Sequence, residues 1–182
     1  MVKRTDEHEV SAPVDVEAVV RAALGSVHDP EIPPLSIVDL GIVERIEVTP
    51  GAVHVDLLPT FAGCPALDAI REDVLSALIA AVPALTPTVR FVLSPPWTTD
   101  RISEAGHEAL RTYGLTPPSG TGPVRLALGR RPDPVVRACP FCGNDDTVLE
   151  SAFGPTLCRS THFCRACRNP FEAFKPKLAG TT

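Results

Sequence analysis

The sequence predicts a small α/β domain followed by a shorter β unit organised around a four-cysteine metal site. Three observations lead there. Within residues 1–114 the apolar residues recur at helical spacing, then in alternation, then at helical spacing again, then once more in each style. Residues 115–136 are rich in Pro, Gly and Arg, which reads as a linker. Beyond it, Cys139-x-x-Cys142 and Cys164-x-x-Cys167 stand about twenty residues apart, the spacing of a closed four-thiolate site. The predicted units are therefore 1–114, a linker over 115–136, and a β unit with its tail over 137–182.

The elements follow in order. Ser11-Ala12-Pro13 marks a helix start, Val16, Val19, Val20, Ala23 and Leu24 keep helical spacing, and Gly25 stops it. Asp29-Pro30-Glu31-Ile32-Pro33-Pro34 is too proline-rich for a helix or a central strand and reads as a rigid loop. Residues 42–48 and 52–58 form a predicted hairpin. Ile42, Ile46 and Val48 share one face, Val53, Val55 and Leu57 another, and Thr49-Pro50-Gly51 makes the turn. A helix over 65–82 carries an apolar stripe of Leu67, Ile70, Val74, Leu78, Ile79 and Val82. Pro83 and Pro87 end it, residues 88–93 read as a third strand, and a last helix runs over 100–113 to Gly114. The order αββαβα makes a compact mixed α/β (α+β) domain. Val124–Leu128 is the one apolar patch of the linker, and short strands flank the cysteine pairs after it.

Composition narrows the function. Apolar residues make up 44% of the chain, ample for a core, yet no run approaches the ~20 residues of a membrane span. The first nine residues have no apolar segment after Lys3-Arg4, so no signal peptide is expected, and the expected location is the cytoplasm. Thiols stay reduced there, and six cysteines then mean metal or chemistry rather than disulfides. Residues 1–136 carry a net charge of −7 and residues 137–182 one of +2. Four thiolates around one divalent cation leave the loaded β unit near neutral, a poor footprint for nucleic acid.

Among residues that carry chemistry, Cys139, Cys142, Cys164 and Cys167 read as ligands of structural zinc, or of iron. Four sulfurs leave no open position for substrate. Cys64 precedes Pro65 at the expected start of the second helix. As an N-cap it would face the positive end of the helix dipole, and its pKa is expected to be lowered, as suits a nucleophile or a soft-metal ligand. The bland alternative is a buried cysteine beside a turn. His28, His54 and His107 are the candidate bases, with His54 expected to point outward beside Asp56, and nothing fixes a Cys–His pair. Asp29 and Glu31 place two carboxylates on a stiff loop. Trp97 precedes Thr98, Thr99 and Asp100, any of which can cap the last helix and bring a second helix N-terminus near Cys64. Cys158 reads first as a core cysteine of the β unit, and otherwise as an added metal or cluster ligand.

Together, Asp29-Pro30-Glu31-x-Pro33, Asp39-Leu40-Gly41 and Thr60-x-x-Gly63-Cys64-Pro65 resemble the metal–sulfur cluster assembly-factor domain that includes SufT. Ser94-Pro95-x-Trp97-Thr98-Thr99-Asp100, Phe153-Gly154-x-Thr156-x-Cys158, Cys164-x-x-Cys167 and Pro170-Phe171-x-x-Phe174-Lys175 resemble the PaaD-like subunits encoded with the phenylacetyl-CoA epoxidase system. The likeness runs from about residue 15 to 177. One position departs: many PaaD-like chains carry a Cys directly after Phe-x-x-Phe-Lys, and this chain has Pro176, which weakens a second metal site joining such a Cys to Cys158. The resemblance implies a non-catalytic accessory subunit in aerobic phenylacetate breakdown. It would serve a di-iron hydroxylase and an iron–sulfur reductase, either alone or as a homodimer. In that reading Cys64 transiently holds iron or a cluster, with Asp29, Glu31, Thr60, Trp97 and Thr98 around it, and the zinc-ribbon-like unit offers a docking surface. The alternatives are a purely structural bridging subunit and a thiol enzyme acting on CoA esters.

Overall fold

The computed structural model describes residues 15–118 and 137–175. The expected helix start at Ser11–Pro13, the patch Val124–Leu128 and the rest of 119–136 lie outside the described residues. Helix α1 (Val16–Gly25) is capped by Asp15, whose carboxylate accepts the Glu17 and Ala18 N–H groups. Strands β3 (Val43–Thr49) and β4 (Ala52–Leu57) form the expected hairpin, and Gly51 sits at φ 85° in its turn. Helix α2 (Leu67–Ala81) then crosses over to β5 (Thr86–Phe91), which runs parallel to β4. This sheet has the order β3-β4-β5, and α1 and α2 lie against one another.

Alternation along β4 explains the layering. Val53, Val55 and Leu57 are fully buried with Ile70, Val74 and Leu78 of α2. His54 and Asp56 face the other way, as expected, into an open charged face where Arg90 pairs with Asp56 and Arg45 with Glu47. Two residues of the predicted apolar stripes are exposed instead, Ile79 and Val48, because Ile79 sits half a turn round α2 from Ile70 and Val48 nears the hairpin tip.

Asp29–Pro34 is not a loop. His28–Asp29 (β1) and Ile32–Ser36 (β2) pair antiparallel in a two-stranded sheet. A two-stranded sheet has only edges, and edges tolerate the prolines that a central strand excludes. The last helix is also later than expected. A 3₁₀ turn occupies Thr99–Arg101, and α3 (Glu104–Thr112) starts after Ser103, whose hydroxyl accepts the Gly106 N–H at 2.9 Å. Ser103 is the side-chain cap, rather than Thr98, Thr99 or Asp100.

The Asp39-Leu40-Gly41 motif is a latch on that helix. The Asp39 carboxylate accepts the Ser36 hydroxyl at 2.7 Å and the Ser103 hydroxyl at 2.6 Å, and its carbonyl accepts the Ser103 N–H at 2.9 Å. Gly41, at φ 71°, lies against the Arg101 backbone, and the Arg101 guanidinium donates to the Gly41 carbonyl at 2.8 Å.

Beyond α3, Leu115–Thr116 (β6) pairs parallel with β9 (Pro170–Phe174). With β7 (Thr147–Ser151) and β8 (Arg159–Cys164) they form a four-stranded sheet of order β6-β9-β8-β7. This sheet and the α/β domain share a core. Phe174 and Leu115 are buried with the α/β core, and Trp97 packs against Phe174 with ring centroids 5.9 Å apart. Among the described residues no helix is long and apolar enough to cross a membrane.

Candidate functional site

The four ribbon cysteines converge. Their sulfurs all lie within 4.8 Å of one another, with Cys139 to Cys167 and Cys142 to Cys164 at 3.6 Å. A tetrahedral ion with zinc–sulfur bonds of about 2.3 Å needs sulfurs about 3.8 Å apart, so the donor set fits zinc. The two knuckles are built alike. In the first, the Cys139 N–H donates to the Asn144 carbonyl at 3.0 Å and Gly143 turns through φ 72°. In the second, the Cys164 N–H donates to the Asn169 carbonyl at 2.9 Å and Arg168 turns through φ 61°. Backbone N–H groups of Phe141, Asn144 and Asn169 aim at the Cys139, Cys142 and Cys167 sulfurs. Such bonds hold thiolates in register for an ion. Cys139 and Cys164 are buried with Phe171 in a core of their own.

Cys64 occupies a second, different site. It lines a cavity of about 20 Å³ with Asp29, Glu31, Thr60 and, from the C-terminal unit, Thr156, Cys158 and Phe174. Cys158 directly precedes β8 and is half-buried, and its sulfur lies 3.1 Å from the Thr156 hydroxyl. The cavity therefore sits where the β1–β2 hairpin and the stretch before α2 meet the C-terminal unit. Arg159 stitches the same seam: it donates to the Glu31 carbonyl at 2.5 Å and pairs with Glu172 at 3.0 Å. Asp29 accepts the Glu31 and Ile32 N–H groups, which folds its carboxylate back toward its own hairpin. Burial pushes the Asp29 carboxyl up from its ordinary value, against those two bonds and the Arg159 charge.

The expected electrostatics of Cys64 are overturned. Helix α2 starts at Leu67 with Ala66 at its cap position, so Cys64 lies in the preceding turn, where its N–H donates to the Phe61 carbonyl at 3.1 Å. Burial pushes the thiol up, and Asp29, Cys158 and Glu31 add to the rise. The Ala66 N–H still favours the thiolate but is outweighed. At pH 7 the thiolate population is then below the few per cent of an ordinary cysteine. The alkylation rate of Cys64 by iodoacetamide should climb about tenfold per pH unit from 7 and still be climbing at the ordinary thiol pKa of about 8.5. A rate that levels off below pH 7 would mean a lowered pKa; peptide mapping of the labelled protein reads it.

The sequence-predicted residues divide accordingly. Cys64, Asp29, Glu31 and Thr60 share the cavity, and Cys158 joins them rather than serving only as a core residue. Trp97 and Thr98 do not line it. Trp97 is buried behind Phe174, and its indole N–H donates to the Leu40 carbonyl at 3.0 Å. Thr98 is half-buried at the cap of the 3₁₀ turn. Among the described residues no histidine lines the cavity; His28 instead contacts the Pro33 carbonyl at 2.6 Å. Sequence reasoning missed Leu157 and Arg159. Thr156 and Phe174 stood in it only as positions of the Phe153-Gly154-x-Thr156-x-Cys158 and Pro170-Phe171-x-x-Phe174 patterns, with no role at this site.

Comparison with known proteins agrees with both halves. Residues 126–175 match the family described as the PaaD zinc beta ribbon domain, and residues 17–88 match the family of iron-sulfur cluster assembly proteins. The chain is 37% identical over 155 residues to an Escherichia coli protein described as a subunit of 1,2-phenylacetyl-CoA epoxidase, covering 85% of this chain and 89% of that one. It is 37% identical over 93 residues to the Fe-S protein maturation auxiliary factor YitW of Bacillus subtilis, covering 50% of this chain and 89% of that one. It is 40% identical over 84 residues to the Fe-S protein maturation auxiliary factor SufT of Staphylococcus aureus, covering 45% and 93%. The four-cysteine site is thus the metal site of a zinc ribbon.

Proposed function

The chain belongs to the family of PaaD-like phenylacetyl-CoA epoxidase subunits, and from that membership we propose that it is an accessory subunit that helps assemble the iron–sulfur or iron centre of the oxygenase. The observation that carries the reading is the cavity holding Cys64 where the first domain meets the C-terminal unit. Iron is the cargo here. The protonated Cys64 thiol does not present a standing nucleophile, but it loses its proton to bind a soft metal, and Asp29 and Glu31 supply negative charge beside it. Zinc in the ribbon is structural. Its place is to hold β8 and β9, and with them Cys158 and Phe174, against the cavity.

The partners in this reading are the di-iron hydroxylase and the iron–sulfur reductase, and the compartment is the cytoplasm. A docking role is compatible with exposed Phe153, Leu157 and Leu149 on the ribbon. The test is iron and cluster content of both oxygenase components, purified from cells that carry wild-type or Cys64→Ser protein. Loading of one component should fall about tenfold or more, the effect of about 1.4 kcal/mol at a transfer site. Full loading of both by Cys64→Ser would leave only the docking role.

A further inference from the structure

We propose that Cys64 and Cys158 form one two-thiol site that binds a single thiophilic cation, of the iron(II) class, at the seam between the turn before α2 and the C-terminal unit. This rests on the metal-handling reading above and gives it a second ligand. Both cysteines line the same cavity although they are far apart in the chain, one in the turn before α2 and the other directly before β8. At about 20 Å³ the cavity has room for one water-sized occupant, hence one ion and not a preformed cluster.

The surroundings select the charge of that occupant. Asp29 and Glu31 are the acidic residues of the lining, Thr60 and Thr156 its neutral polar ones, and among the described residues no lysine, arginine or histidine is part of it. The neighbouring Arg159 is turned to Glu172 and to the Glu31 carbonyl. Two sulfurs beside two carboxylates make a lining that suits a cation. The Cys158 end is held in place, since the Lys175 backbone N–H donates to its carbonyl at 2.8 Å and the Thr156 hydroxyl meets its sulfur.

The site also differs from the ribbon in how complete it is. Among the described residues only the ribbon brings three or more ligand atoms together. Two sulfurs leave coordination positions open, which suits an ion that must leave again, whereas four sulfurs close the shell. Exposed Phe61 and Leu157 rim the opening, where a recipient would have to approach. On binding, each thiol gives up one proton and forms one sulfur–metal bond, with no change in oxidation state.

A trivalent arsenical tests the pair because it needs two neighbouring thiols: phenylarsine oxide condenses with both and releases one water. Zinc-loaded, full-length protein is treated with phenylarsine oxide, challenged with excess monothiol, and read by intact mass and zinc content. Wild type should retain one phenylarsenical per chain. Cys64→Ser and Cys158→Ser should each release it about 100-fold more readily, the loss of an intramolecular second contact, with zinc unchanged. Cys158→Ala serves as a second variant should the serine disturb zinc content. Release from wild type, or retention by Cys158→Ser equal to wild type, would overturn the pair.

Oxygenase loading separates this from the broader reading. If Cys158→Ser loads the oxygenase normally and Cys64→Ser does not, the pair is wrong while the function stands. If both load normally, the function itself falls.

Discussion

Removing the ribbon metal, by chelation or by Cys164→Ser, should unfold the knuckle end of the C-terminal sheet. Cys164 is completely buried, and among the described residues its cluster has only Cys139 and Phe171 as further buried members. A core of that size cannot repay the ordering of three strands, so the ion supplies the missing free energy. Structural zinc in comparable small units contributes about 10–16 kcal/mol at neutral pH. The loss should be graded along the sheet. Among the described residues β7 and the knuckles have no other anchor of that strength, while Phe174 and Leu115 remain buried in the α/β core. Amide hydrogen exchange should therefore show β7 and the Cys164 end of β8 losing protection first, with β4 and α2 unchanged. Unchanged protection in β7 after complete zinc removal would show that the ribbon stands without its metal.

Gly41→Ala should cost about 3–5 kcal/mol, roughly the sum of left-handed backbone strain and overpacking. Gly41 holds φ 71°, and a Cβ there would run into the Arg101 carbonyl, which is backbone and cannot swing aside. The damage would spread through the latch. Arg101 donates to the Gly41 and Val43 carbonyls and pairs with Glu44 at 2.7 Å, and Ser103 ties α3 to Asp39. Gly106 is pressed against the Asp39 carbonyl in the same way, so the loop has no room on either side. Denaturant unfolding measures the effect; a loss under about 1 kcal/mol would mean that the loop moves freely away from Arg101.

The latch explains why Asp39-Leu40-Gly41 was visible in the sequence as part of a family pattern while its reason was not. The partners Arg101 and Ser103 are some sixty residues away. Elements with strong local periodicity were legible: the alternation of Val53, Val55 and Leu57 and the 70–74–78 ridge of α2 are buried as expected. Asp29–Pro34 was misread because proline content argues only against central strands, and β2 is an edge.

The ribbon ligands were legible because a closed metal site is written in local spacing, two sulfurs on each of two turns. The Cys64 cavity was only half legible. Cys64, Asp29, Glu31 and Thr60 come from neighbouring stretches of the first domain, but Cys158 and Phe174 arrive through the pairing of β6 with β9, a contact no local pattern records. The thiol pKa was misjudged for a related reason. A helix dipole can be inferred from a Pro in the first turn, whereas burial and the approach of two carboxylates and a second sulfur depend on tertiary structure.

A metal count decides whether the Cys64 cavity handles iron apart from the structural zinc. Wild type and Cys64→Ser are purified anaerobically, supplied with iron(II), and assayed for iron, zinc and acid-labile sulfide per chain. About one zinc is expected in both proteins, as a closed four-cysteine site requires, with iron in wild type alone. Equal iron in the two proteins, or none in either, would rule out iron handling by Cys64.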